Sequence, residues 1–260
     1  MQHKAWPGFI QWLALGVIVI AVAACKGSDV NLRDGTMVKA SAVYTDEGVI
    51  KLAEAVRKGK SKQIKALIAE GVDPNARGKD GYNLLMWAML NRSKKGLVAL
   101  LEAGADPAVK NDEGNTILHW TASANDPSYL TLLLEQGVDP NLRGKSGASA
   151  LVNAVMGDRE ENFKALLAAG ADPNARSNPV REGSLGRTIL HVAASTNSSE
   201  RVLDLLAAGA DPNARDGRGD TFQRSFFMTS EEIMTTEGKA RRQQVRDWLR
   251  ERNIPVEDGR

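Results

Sequence analysis

The chain has 260 residues, 42% hydrophobic and 25% charged, with a net charge of +2. That composition fits a globular body and excludes a polar disordered chain or a multi-pass membrane protein, while the near-neutral balance gives no global drive toward nucleic acid. Cys25 is the single cysteine, which excludes an intramolecular disulfide and a cysteine-built metal site. The histidines are His3, His119 and His191. No catalytic residue, metal ligand or cofactor is expected from so sparse a set.

The amino terminus is weakly basic, with Lys4, and is followed by sixteen residues from Phe9 to Ala24 with Gln11 as the one polar side chain. A membrane-spanning helix needs about 20 apolar residues, so this run fits the core of a secretory signal better. It ends in Val22-Ala23-Ala24-Cys25. An apolar residue, two small residues and a cysteine resemble the bacterial lipobox. The resemblance implies cleavage before Cys25, acylation of that residue and stable anchoring by several acyl chains. The sorting rule of enteric bacteria would send a protein with Lys26 to the outer membrane, facing the periplasm. Lys26 to Tyr44 is polar and lacks an apolar period, so it reads as a tether reaching about 60 Å when extended. The expected organisation is a signal over 1–24, a lipidated cysteine and tether over 25–44, a folded body over 45–254 and a tail over 255–260.

The body repeats. Asp73-Pro74-Asn75, Asp106-Pro107-Ala108, Asp139-Pro140-Asn141 and Asp172-Pro173-Asn174 follow at intervals of 33, and Asp211-Pro212-Asn213 comes 39 later. Gly81, Gly114 and Gly147 keep the same interval, Gly186 follows after 39, and Gly219 after 33. Both series therefore share one six-residue insertion between Asn174 and Gly186. Each unit predicts two helices. Thr116 and Thr188 suit helix amino-terminal caps. Gly71, Gly104, Gly137, Gly170 and Gly209 suit left-handed helix ends, and the following Asp-Pro prevents continuation. Leu85, Leu118, Leu151 and Leu190 are expected in a core shared between units, with Ala88, Ala154 and Ala193 letting helices approach. At the ends, Thr45-Asp46-Glu47 suits a helix start, and Asn253 suits a helix stop. In the last helix, Val245, Trp248 and Leu249 form the expected apolar face, with Arg241, Arg242, Arg246 and Arg250 elsewhere.

Gly114-Asn115-Thr116-Ile117-Leu118-His119, Gly186-Arg187-Thr188-Ile189-Leu190-His191-Val192-Ala193-Ala194 and the Leu166-Leu167-Ala168-Ala169-Gly170-Ala171-Asp172-Pro173 ending resemble the ankyrin repeat. The resemblance covers about residues 47–253. It implies an all-α solenoid of helix–turn–helix repeats with short β-hairpin loops, four internal repeats and two divergent caps, in which no unit buries its apolar face alone. His119 and His191 share one repeat position, and the resemblance assigns them to hairpin hydrogen bonding. Trp87 and Trp120 are likewise 33 apart and expected in the core. Gly144-Lys145-Ser146 lacks the earlier glycine of a phosphate loop, and no nucleophile elbow is present.

Ankyrin proteins hold partners on hairpin tips and first helices. By register that surface comprises Lys79, Asp80, Tyr82, Leu90 and Asn91, then Asp112, Glu113 and Asn115, then Lys145 and Met156, then Leu185 and Arg187, with Arg181 from the insertion. Tyr82, Leu90, Met156 and Leu185 are its expected exposed apolar members. Arg77, Lys110, Arg143, Arg176, Arg215 and Arg218 recur near the tips and admit two readings, solubility or a ridge steering an acidic partner. The expected function is a monomeric, non-enzymatic, lipid-anchored protein that binds another protein and no nucleic acid. The chain is similar to ankyrin-repeat lipoproteins that accompany secreted phospholipase effectors, which implies an immunity protein occluding such a toxin. The alternatives are an envelope adaptor supporting stress-response enzymes and, last, a hydrolase.

Overall fold

A computed structural model describes residues 38–176, 186–196 and 198–257, with Ser146 described by its backbone alone. Twelve α-helices among them form six antiparallel pairs. The pairs are α1 Glu47–Arg57 with α2 Ser61–Ala69, α3 Leu84–Leu90 with α4 Lys94–Glu102, and α5 Ile117–Ser123 with α6 Ser128–Glu135. They continue as α7 Ala150–Met156 with α8 Glu160–Ala168, α9 Ile189–Ser195 with α10 Ser199–Ala207, and α11 Phe222–Phe226 with α12 Thr236–Glu251.

Local chemistry sets these bounds. The Asp46 carboxylate accepts from Val49 N at 2.9 Å, Asn83 Oδ1 from Met86 N at 3.0 Å, and Ser149 Oγ from Val152 N at 3.3 Å. Each satisfies an amide left open at a helix start. Thr188 caps α9 as expected, accepting from His191 N at 3.4 Å. Thr116 does not cap α5; its hydroxyl meets the His119 ring instead. The second helices α2, α4, α6, α8 and α10 end on glycines with φ between 78° and 97°, a region that an L side chain enters only under strain, and α12 ends at Asn253 with φ 56°. The Asp of each Asp-Pro-x then accepts from the amide two residues on, as Asp73 does from Asn75 N at 2.8 Å. The chain turns out into a hairpin closed by one antiparallel bridge, at Arg77 and Asn83, Arg143 and Ser149, and Arg176 and Thr188.

One core runs the length of the stack. Leu85, Leu118, Leu151 and Leu190 are all within 2% of complete burial, and Ala88, Ala154 and Ala193 are fully buried at the helix crossings. First-helix backbones approach closely at α1/α3, α5/α7, α7/α9 and α9/α11, whereas the backbones of α3/α5, α4/α6 and α8/α10 stand farther apart.

Both ends differ from the sequence reading. The folded body starts earlier than residue 45. Ala40 and Tyr44 are buried, Val38 and Val43 pack on the core, and the Tyr44 ring meets Trp87 edge-on at 5.9 Å. Lys79 N donates to Val43 O at 2.8 Å, so the segment taken as tether supports the first described hairpin. At the carboxyl end, residues 255–257 are held rather than trailing. Gln223 donates to Pro255 O at 3.1 Å and accepts from Glu257 N at 2.9 Å, while Thr221 Oγ donates to Glu257 at 2.8 Å. Arg242 also departs from expectation. It is 1% exposed, donates to Phe226 O and Thr229 O, and lies over the Phe226 and Phe227 rings. The buried guanidinium thereby satisfies carbonyls at the end of the short helix α11.

Candidate protein-binding surface

The hairpins stack into one edge. Asp112 N donates to Asp80 O at 3.2 Å, and Asp112 also pairs with Arg77. Gly114 lies so close to Lys145 that a Cβ there would come within 2.8 Å of it. Lys79, Asp80, Asp112, Glu113 and Lys145 are all exposed along this edge. Asp80 holds φ at 57°, a left-handed turn that points a carboxylate residue outward at the tip.

The other expected residues fall in two further places. Leu90 and Asn91 close α3, and Met156 closes α7. They lie at the far ends of first helices of seven residues, a rise of about 10 Å from the hairpins. The structure corrects the expected apolar set. Met156 is 61% exposed, but Tyr82 and Leu90 are half-buried. Tyr82 is turned into an edge-on contact with Trp120, centroids 5.2 Å apart. Asn91 is also half-buried and donates to Trp87 O at 2.8 Å, so its amide closes its own helix. Asn115 donates its backbone amide to Asn111 at 2.8 Å within the hairpin. Arg187 is half-buried with Nε 3.8 Å from the Asp216 carboxylate. Cys25, Arg181 and Leu185 lie outside the described residues.

Most of the recurring arginines near the tips are bound up in the fold. Arg77 pairs with Asp112, and Arg143 lies 3.6 Å from Asp172. Arg176 donates to Gly186 O and Arg215 O, and Arg215 to Gly219 O. These arginines thus brace the hairpins as well as carrying charge, and Lys110 and Arg218 are exposed.

The repeated histidines are structural. His119 Nε2 lies 3.0 Å from Ala148 O, which only accepts, so Nε2 carries the proton and Nδ1 accepts from the Thr116 hydroxyl at 2.8 Å. His191 does the same between Asp220 O at 2.9 Å and Thr188 at 2.7 Å. Burial holds both imidazoles below the ordinary histidine range, which suits the neutral tautomer these bonds require. Trp87 is buried with its indole donating to Ala53 O at 2.8 Å, as a core residue should be. Trp120 is half-buried beside Tyr82.

Asparagines, too, join repeats. Asn75, Asn141 and Asn174 accept from the amides of Asp106, Asp172 and Asp211 at 2.7–2.8 Å. Asn141 and Asn174 also donate to Gly170 O and Gly209 O at 3.1 Å. Ala108 stands where the bridge from the second described pair to the third would start. No group of metal-ligating side chains occurs among the described residues.

Paired helices, left-handed glycine ends and outward hairpins repeating at 33 residues define one architecture. The model of ankyrin repeats matches in three overlapping copies, over residues 52–143, 94–177 and 144–216. The chain belongs to the ankyrin-repeat family. No curated protein matches it significantly. Among solved structures it is similar to the ankyrin repeat domain of Bcl-3, described as a unique member of the IkappaB protein family. That similarity has 30% identity and a TM-score of 0.58, over 67% of this chain and 76% of that one. Ankyrin repeats are generally protein–protein interaction modules, built on a scaffold that works by binding rather than by catalysis.

Proposed function

We propose that this ankyrin-repeat protein is a lipoprotein held at the periplasmic face of the outer membrane through Cys25, and that its hairpin edge and first helices bind a protein. The specific reading is immunity: the stack occludes the active site of a secreted, phospholipase-type antibacterial effector. The observation that supports a binding surface is the exposed edge of Lys79, Asp80, Asp112, Glu113 and Lys145, with the exposed Met156 at the far end of α7. Charged groups along one border of a surface that carries an exposed apolar side chain at the other match the composition of a protein interface. The edge is pre-organised by backbone contacts between tips, so little ordering entropy opposes binding.

The test is a contest between cells. A strain lacking the protein should be poisoned by neighbours that carry the effector and unharmed by neighbours that lack it. Lys145→Glu combined with Met156→Asp should remove protection while the protein remains abundant. Equal fitness in both contests sinks the immunity reading, and peroxide sensitivity without a neighbour effect would favour the adaptor role.

A further inference from the structure

The near-zero net charge conceals a segregation along the stack. Residues 38–102 carry twelve Lys and Arg against seven Asp and Glu, while residues 103–257 carry eighteen against twenty-two. The amino-terminal surplus gathers on the edge opposite the hairpins, in the turns that join the two helices of a pair. The α1–α2 turn and the start of α2 hold Arg57, Lys58, Lys60 and Lys62; the α3–α4 turn and the start of α4 hold Arg92, Lys94 and Lys95. These turns lie side by side. Ser93 Oγ donates to Val56 O at 2.5 Å, and a Cβ on Gly59 would stand 3.1 Å from the Lys95 Cβ.

Every one of these cations except the half-buried Arg57 is exposed. The acid beside the first turn, Glu54, is taken by Arg57 at 2.7 Å and Lys58 at 3.9 Å. Farther along the same edge the sign reverses. Asp126, Asp158, Glu160, Glu161 and Glu200 follow. Two cations there are tied to acids, Arg201 to Asp158 at 2.5 Å and Glu160 at 3.0 Å, and Arg241 to Glu200 at 2.9 Å, while Arg159 donates to Ser123 O at 3.0 Å. The turn edge is therefore basic at one end and acidic or neutralised at the other.

The basic end is the one that leads back to Cys25. Twelve residues, 26–37, separate that cysteine from the described body, a reach of about 40 Å when extended. We infer that the basic turns of the first two helix pairs dock on anionic phospholipid headgroups, seating the amino-terminal end of the stack on the bilayer. The inference rests on the lipid-anchored reading for its placement and deepens it. Cations crowded near an anionic surface add their attraction to that of the acyl chains, over a range set by a Debye length of about 8 Å. Docked this way, the hairpin edge points away from the headgroups and stays open to a partner, while the acidic far end of the turn edge resists lying flat.

The experiment uses the processed protein reconstituted on vesicles of phosphatidylcholine alone or with phosphatidylglycerol. A fluorophore at Gln63→Cys, on the exposed start of α2, reports proximity to spin-labelled lipid, with Glu113→Cys on a hairpin tip as control. Quenching should appear at Gln63→Cys on phosphatidylglycerol vesicles, be absent at Glu113→Cys, and vanish in about 1 M salt, where the Debye length is about 3 Å. Reversing Lys60, Lys62, Lys94 and Lys95 to Glu should lower it roughly tenfold or more. If that variant melts early, Lys60→Gln with Lys95→Gln should give a smaller fall in the same direction. Equal quenching at both positions or on both lipids, or quenching indifferent to charge, overturns the inference. Retention on phosphatidylcholine reads the anchor alone. Retention without lipid-specific quenching defeats only the docking; loss of retention with charge-sensitive binding to phosphatidylglycerol defeats only the anchor.

Discussion

Two junctions in the stack share a repeat period yet are held by different chemistry. Between α5/α6 and α7/α8, His119 donates to Ala148 O, Asn141 bonds both Asp172 N and Gly170 O, and the first helices pack closely. Between α3/α4 and α5/α6, Met86 stands at the histidine position and Ala108 at the asparagine position, and the helix backbones stand farther apart. Besides the buried leucines of the shared core, that junction has the Tyr82–Trp120 pair, Lys94 over the Tyr129 ring, Asn83 Nδ2 donating to Val109 O at 3.1 Å, and the Arg77–Asp112 pair at the tips. In a solenoid, stability is close to a sum of unit and interface terms, so each junction can be weakened or strengthened separately. The contrast shows that a repeat can lack these polar bridges while the apolar core runs on through the junction, here with an aromatic pair beside it.

The largest effect separating the junctions should come from Trp120→Ala, which removes the ring pair at the junction that lacks the His and Asn bridges. A loss of roughly 2–3 kcal/mol is expected in urea unfolding, below the full cost of a buried Trp because the residue is half-buried. A change under half of that would mean the aromatic pair is incidental. His119→Ala should cost about 2 kcal/mol at the other junction, since it leaves a buried carbonyl and the buried Thr116 hydroxyl unpaired. Asn141→Ala should cost about 1 kcal/mol, the net value of ordinary hydrogen bonds at a half-buried site. Ala108→Asn should act in the opposite sense. Its backbone already holds the same turn, with Ala108 N donating to Asp106 at 2.8 Å, so the new amide should stabilise by roughly 0.5–1 kcal/mol. Destabilisation there would show that the gap between α4 and α6 is too wide to bridge.

The smallest effect concerns pH. Burial lowers the folded-state affinity of His119 and His191 for protons, so the unfolded chain binds more of them. Their contribution is complete above about pH 6.5 and declines as pH falls from there through the lowered folded values. Unfolding midpoints measured over that range should flatten in a His119→Gln/His191→Gln variant, and an unchanged slope would contradict the assignment.

The sequence carried the repeat, its register and its core because each depends on local rules: glycine at left-handed ends, proline after them, leucine facing its neighbours. Other features were present but harder to read. Arg242 lies three residues before Val245 and seven before Leu249, on their helical face, yet its charge suggested solvent. Only the open carbonyls of Phe226 and Thr229 explain its burial. Tyr44 sits 33 before Arg77, in register with the first described hairpin, but the polar stretch preceding it masked that relation. Asn141 and Asn174 mark the repeat period in sequence, but their bonds to the next repeat depend on spacing between units. Among the surface residues, the exposed tips followed from register alone. Tyr82, Leu90 and Asn91 did not, because whether a side chain turns outward depends on gaps between helices that no single repeat encodes.

The most direct test of the account places a photo-crosslinker at Lys145 or Met156, on the hairpin edge and first helices, and at Thr131, on the exposed side of α6. In cells confronted with the effector, Lys145 and Met156 should form adducts with one and the same protein while Thr131 forms none. Adducts from Thr131 with both other positions silent would contradict the assignment of the binding face.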